Sequence, residues 1–348
     1  MSVHCSFLVA ATLAASLCAQ GFVVVPAECA ASDGNGSATL VGHRPARWQL
    51  VIDPARAAPL HGREIRAILF RRDSQFTGAL GASSWDLVVR LGTAARASDR
   101  ALPDYVANAT ALVELHRGPV ASPASPVLAG AAGWGAQDAI RIDLAAPFRL
   151  ASGGLVVDVE GSPAGAEFWP IDAIEEAVSG AVAVVGTPCR PATYGAPSAW
   201  VERSELVPGR TATIELRSEP GTAAWLLLAL QTLAAPIDLG PIGAVGCGLH
   251  LLPFTAIGST VGAPDIRPEF GGRAWIDLQL PPDANLLGAA LAAQWFEVRP
   301  SEYATSNALD CTLASAAPSA GMALVIGQLD GAPVVRSHGL PVLGFVTD

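Results

Sequence analysis

Apolar and polar residues alternate with a period of two along much of this chain. Residues 64–71 place Ile65, Ala67 and Leu69 on one side of an extended backbone and Arg66, Ile68 and Phe70 on the other, which is the side-chain periodicity of a strand. Segments 139–144 and 155–159 alternate more strictly, as on sheets with one solvated face. Strand patterns recur at 48–52, 86–91 and 111–115, and again at 211–217, 225–230, 248–252, 274–280 and 323–326. Segment 285–298 is rich in helix formers, but it follows the turn at Pro281, Pro282 and Asp283, and in this all-β setting a strand is expected. Short strands punctuated by Gly, Pro, Ser and Asp turns predict a β-sandwich of jelly-roll-like form.

Two punctuations divide the pattern. Residues 7–17 are apolar and uncharged and run into the small-residue cluster of Ser16, Cys18 and Ala19. That run is too short to span a bilayer and predicts a secretory signal peptide over residues 1–20, cleaved from a mature chain that starts at Gly21. Residues 186–197 carry three prolines and two glycines and read as a domain boundary. The expectation is therefore all-β, with two sandwich domains in tandem: 21–189 and 190–348. The longest later apolar stretch, 223–233, is interrupted by Gln231 and Thr232 and closed by Pro236, so no membrane span is expected. The protein is placed outside the cytoplasm: secreted, periplasmic or at the cell surface.

Composition sharpens this picture. Hydrophobic residues make up 51% of the 348 residues and charged ones only 15%, enough apolar material for two cores and too much for a disordered chain. The net charge is −10 and no basic cluster exceeds the pair Arg71 and Arg72, which argues against nucleic acid as a partner. Every basic residue is Arg. Schiff-base catalysis and a lysine-bearing phosphate loop are thereby excluded.

Four cysteines follow the leader: Cys29, Cys189, Cys247 and Cys311. An even number in an oxidising compartment suggests disulfides, with three connectivities open. Cys29–Cys189 and Cys247–Cys311 are favoured because each stays within one expected domain; the other reading is free buried thiols.

Arg47, Trp48 and Gln49, the line 65–72, and segments 85–95, 144–148 and 154–159 resemble the N-terminal domain of a group of exported proteins of Planctomycete-type bacteria. Asp238, Gly246, Cys247, His250, the line 278–288, Gln294, Ser306 and Asn307 are similar to the short β-domain that often follows it. The resemblance implies a fold and export. It implies no activity and no site residues.

The chemistry-bearing candidates are sparse. No histidine forms an H-x-H or H-E-x-x-H pattern, and no G-x-S-x-G elbow occurs. Asp33 and Asn35 place oxygen ligands at alternate positions, as a calcium loop begins. The glycine and glutamate of an EF-hand are missing and Arg44 stands at the twelfth position, leaving a non-EF calcium site or an Asx-rich turn. Asp172, Glu175 and Glu176, with Glu160 and Glu167, are the densest acidic cluster and the source of any glycosidase carboxylate pair. A solvated acidic loop is the plainer reading. Trp134 and Trp169 sit in loop-like contexts where an exposed indole stacks on sugars or proteins. The functional expectation is a non-catalytic binding or structural protein of the cell surface, with carbohydrate or protein partners. The alternatives are a carboxylate-dependent carbohydrate hydrolase acting through the N-terminal domain and a self-assembling surface component.

Overall fold

A computed structural model describes residues 21–42, 44–164, 168–189, 196–263, 271–300, 302–329 and 331–348. The expected leader, residues 1–20, lies outside them. The fold is all-β, with 52% strand and 7% helix. Among the described residues no helix is long and apolar enough to cross a membrane.

The strands run in chain order β1 (Gly21–Val25), β2 (Gly36–Thr39), β3 (Ala46–Ile52), β4 (Glu64–Arg71), β5 (Ser84–Ala94), β6 (Ala109–Ala121), β7 (Ala139–Arg149) and β8 (Leu155–Pro163). There follow β9 (Pro170–Ile174), β10 (Ala181–Val185), β11 (Ser198–Trp200), β12 (Thr211–Ser218), β13 (Ala223–Ala229), β14 (Thr232–Asp238), β15 (Gly248–Leu251) and β16 (Thr255–Thr260). The last are β17 (Gly272–Gln279), β18 (Ala290–Val298), β19 (Tyr303–Thr312), β20 (Met322–Gln328), β21 (Val334–Arg336), β22 (Leu340–Pro341) and β23 (Leu343–Thr347). The ambiguous segment 285–298 is thus mostly strand, opened by a short 3-10 turn at Ala284–Leu286.

Three sheets surround a first core: β21-β20-β3-β8-β5-β6, β1-β23-β4-β7 and β2-β9-β22. Trp48, Leu50, Phe70, Val157, Trp169 and Phe345 meet there. A second core, with Ile214, Leu216, Leu226, Trp295 and Leu309, belongs to the sheets β10-β19-β18-β13-β16 and β11-β12-β17. The ribbon β14-β15 lies beside it.

The sheets do not follow the expected cut at 189/190. β10 pairs with β19, on the far side of that cut, and β20 to β23 return to the first core. The two ends of the described chain are joined in register, Gly21 opposite Thr347. Strand pairing is non-local, and no local composition records where the chain comes back.

Burial also departs from simple alternation. In β8, Leu155, Val157 and Val159 enter the first core, while Val156 joins a second apolar cluster with Val51 and Val325 on the opposite face. Both faces of this central strand are covered, rather than one being solvated.

The disulfide is Cys189–Cys247, not Cys29–Cys189 or Cys247–Cys311. Cys29 packs in the first core, whereas Cys189 lies against Thr305 of β19, with its backbone N–H donating to the Thr305 carbonyl at 3.0 Å. Cys29 and Cys311 are buried free thiols. Burial pushes their pKa values up, to about 11 and about 12.

Candidate functional site

The three-stranded sheet β11-β12-β17 has one apolar and one polar face, and the register decides what the polar face carries. Ala199, Ile214, Leu216 and Ala274 point into the second core. The opposite parity aligns Trp200 with Glu215 and Glu215 with Trp275, and one row on, Ser198 with Arg217 and Arg217 with Arg273. Two indoles therefore flank a carboxylate across three neighbouring strands, about 10 Å apart at two strand spacings. Trp200 and Trp275 are 49% and 51% exposed. Arg273 pairs with Glu215 and holds its guanidinium 5.4 Å from the centre of the Trp275 ring.

The face is anchored below this row. Thr213 Oγ1 donates to Asp277 at 2.7 Å and accepts from Arg336 at 3.3 Å. Arg336 pairs with Glu205, whose other oxygen accepts from the Thr213 backbone N–H at 2.8 Å. Thr211 Oγ1 donates to Gln279 at 2.8 Å and accepts from the Val335 N–H at 2.9 Å. These bonds tie β21, from the first group of sheets, across the lower end of β12, and leave the indoles of Trp200 and Trp275 exposed on either side of a buried Glu215.

Beside the row lies a cleft of about 610 Å³ at the junction of the two groups, where Trp200, Glu215 and Arg273 meet Glu176, Arg336 and His338. Junctions of this kind are common ligand sites. Glu176 accepts from Ser319 N and Oγ and from Ala320 N, each at 2.8 Å, and from Val178 N at 3.2 Å. Burial raises its pKa, and these bonds, led by that from Ala320, outweigh burial and hold it below the usual range. Glu176 is an anchor for the returning chain, with its oxygens already occupied. His338 lies 3.4 Å from Ser204 Oγ through Nδ1. Burial, and then the Arg336 cation, pull its pKa down to about 4. A nucleophile-activating histidine needs its imidazolium stabilised by a carboxylate; here the charged neighbour is a cation, so Ser204 is not activated.

The candidates expected from the sequence fall elsewhere. Trp169 is fully buried and donates its indole N–H to the Pro123 carbonyl at 3.1 Å, so it offers no stacking face. Trp134 is half-buried, edge-on to Phe22 at 5.3 Å and with the Arg71 guanidinium 4.8 Å from its ring centre. It lines a shallow pocket of about 490 Å³ with Leu69 and Ala139. The structure does not bring Trp134 and Trp169 onto one exposed platform.

Asp33 pairs with Arg71 at 3.6 Å and accepts from Ser74, while Asn35 Oδ1 accepts from the Glu175 N–H at 2.9 Å. Asp33 Oδ2 and Asn35 Oδ1 are thus bonded in a knot that also holds Asp172, which binds Arg71 and the Gly34 N–H, while Asp33 Oδ1 has the Arg71 cation near it but no hydrogen bond. Burial raises the Asp172 pKa against the pull of Arg71. Among the described residues no group of three His, Cys, Asp or Glu is placed to hold a metal. Of the remaining acids, Glu160 pairs with Arg90 at 3.0 Å and Glu167 lies outside the described residues.

Sequence reasoning missed Trp200 and Trp275 by looking for tryptophans in loops. The signal was present in strand 274–280. Arg273, Trp275, Asp277 and Gln279 share the polar parity, and Ala274, Ile276 and Leu278 the apolar one, so Trp275 sits on the wrong side for a core residue. No family model, curated protein or solved structure matches the chain.

Proposed function

We propose that this is a secreted, non-catalytic binding protein of the cell surface that holds glycan on the Trp200–Glu215–Trp275 row. The observation that carries the reading is the pair of half-exposed indoles held in register on either side of an ion-paired carboxylate. A sugar ring presents an apolar C–H face and a rim of hydroxyls. Indole surfaces bury the former, and Arg273, 39% exposed and held in place by the buried Glu215, can donate to the latter. The sheet fixes the spacing of the rings before ligand arrives, which lowers the ordering cost of binding. Export rests on the leader-like residues 1–20 and the resemblance to exported proteins. Binding without catalysis is supported by the bonded state of Glu176, Glu205 and Glu215 and by the cation beside His338.

Affinity electrophoresis of the mature chain against a panel of neutral, amine-bearing and acidic polysaccharides tests the reading, with and without a calcium chelator. Retardation by at least one polymer is expected, weakened roughly tenfold by Trp200→Ala or Trp275→Ala and unchanged by Trp134→Ala or by chelation. Retardation by no polymer, or retardation indifferent to both row variants, overturns it.

A further inference from the structure

We infer that two copies of this chain pair through the free edge of β10, continuing the five-stranded sheet of the second core across a two-fold axis. Among the described residues β10 is the end strand of that sheet and pairs only with β19. Among the described residues, its outward N–H and C=O groups have no hydrogen-bonded partner. An edge in this state is a template for another strand.

Three other edges are defended. β6 carries Glu114, Arg117 and Pro119, and β7 carries Arg141, Asp143 and Pro147. At the opposite edge of the same sheet, β16 is broken by Gly258 and lined with threonine and serine. β10 reads Ala-Val-Ala-Val-Val and lies within an uncharged run from residue 177 to 189. In a chain of net charge −10, an uncharged strand is where two copies can meet without like charges opposing each other.

The core also stops short at this edge. Val182 and Val184 lie opposite Cys311 and Leu309, both buried, and so share the core-facing side of the sheet. Val182 packs against the second core. Val184 is 67% exposed, because no strand beyond it carries the core further. Antiparallel pairing of β10 with itself about Ala183 sets each Val184 opposite the partner's Val182 on that same side. It satisfies the outward backbone groups and covers the apolar shelf together. The two-fold arrangement closes at a dimer.

The occupant is thus a second copy, and the test is the oligomeric state of the whole mature chain. Sedimentation velocity is run up to roughly 500 µM, since one strand pair is a small interface and reversible association in the micromolar range is expected. Ala183→Lys and Ala183→Glu each put two like charges directly across the axis. Each should weaken the dimer at least about tenfold, and an equimolar mixture of the two should restore it. Ala183 is exposed, and circular dichroism and thermal melts of each variant check that it folds; the charge-swapped mixture is a control that misfolding cannot mimic. A chain that stays monomeric over the whole range overturns the inference. So does a dimer that Ala183→Lys leaves unchanged, or a series of larger assemblies dissolved by Ala256→Lys on β16.

Discussion

Asp158 and Glu215 occupy corresponding places in the two groups of sheets. Each lies mid-strand, on the face of its sheet turned away from the principal core, and each is paired with arginine. The surroundings differ. Asp158 is completely buried and meets Arg47 at 2.9 Å, Arg90 at 3.0 Å and the Gln49 amide at 3.1 Å. The loop bearing Tyr105 closes over it: the ring lies 4.4 Å from the Arg47 guanidinium, its hydroxyl donates to the Arg47 carbonyl and its own carbonyl accepts from Gln49. Burial raises the Tyr105 pKa to about 12. Glu215 is also buried, but it has one arginine, Arg273, which is 39% exposed, and two half-exposed indoles instead of a lid. Where cations and an aromatic ring are consumed internally, the arrangement holds the fold. Where they are left open on a rigid sheet, they are available to a ligand.

The largest effect that sharpens this contrast comes from Asp158→Ala. Removing the buried carboxylate leaves Arg47 and the Gln49 amide without their acceptor, while Arg90 keeps Glu160, and costs about 3 kcal/mol, the low end for a broken buried pair. Urea unfolding should show the midpoint falling accordingly, with glycan retardation intact at temperatures where the variant is folded. A loss below about 1 kcal/mol would place Asp158 with ordinary surface pairs and dissolve the distinction.

His338 stands between the two regions and gives a smaller effect, dependent on pH. Its folded pKa, about 4, lies below the unfolded value of 6.5. The unfolded chain therefore binds a proton that the folded chain refuses, and stability rises with pH between those values. The contribution is fully present above pH 6.5 and is lost as pH falls through 4. The imidazole is not wholly buried, so the loss is on the order of 2–3 kcal/mol. Thermal melts of wild type and His338→Gln at several pH values isolate it. The difference between them should shrink toward pH 4, whereas parallel curves would remove the imidazole from the pH response.

Much of the strand content was legible because alternation is a local signal: β4, β12 and β17 follow directly from their period-two patterns. What was not legible is long-range. The return of β20–β23 to the first core and the Cys189–Cys247 pair depend on contacts between residues far apart in sequence. Trp169 illustrates the same limit for the site. Flanked by Phe168 and Pro170 it looks like a loop residue, yet it fills the first core because β9 enters there immediately after it. Trp275 was readable from parity alone, whereas its partner Trp200, in a three-residue strand, became visible only through register.

The smallest expected change in stability, and the most telling in function, is Glu215→Ala. Its carboxylate is buried but the arginine left behind is 39% exposed and can be hydrated, so stability should fall by no more than about 1 kcal/mol, a shift of a few degrees in Tm. Binding should respond more. Truncating the carboxylate that fixes the Arg273 guanidinium between two stacking surfaces weakens a charged hydrogen bond worth about 1.5–3 kcal/mol, so retardation should weaken at least tenfold. The comparison with Asp158 then becomes a double dissociation: Asp158→Ala lowers stability and spares binding, and Glu215→Ala does the reverse. If Glu215→Ala unfolds the protein as readily as Asp158→Ala, its carboxylate is a structural pair like the other. The two tryptophans beside it would then be cover for that pair rather than a surface for glycan.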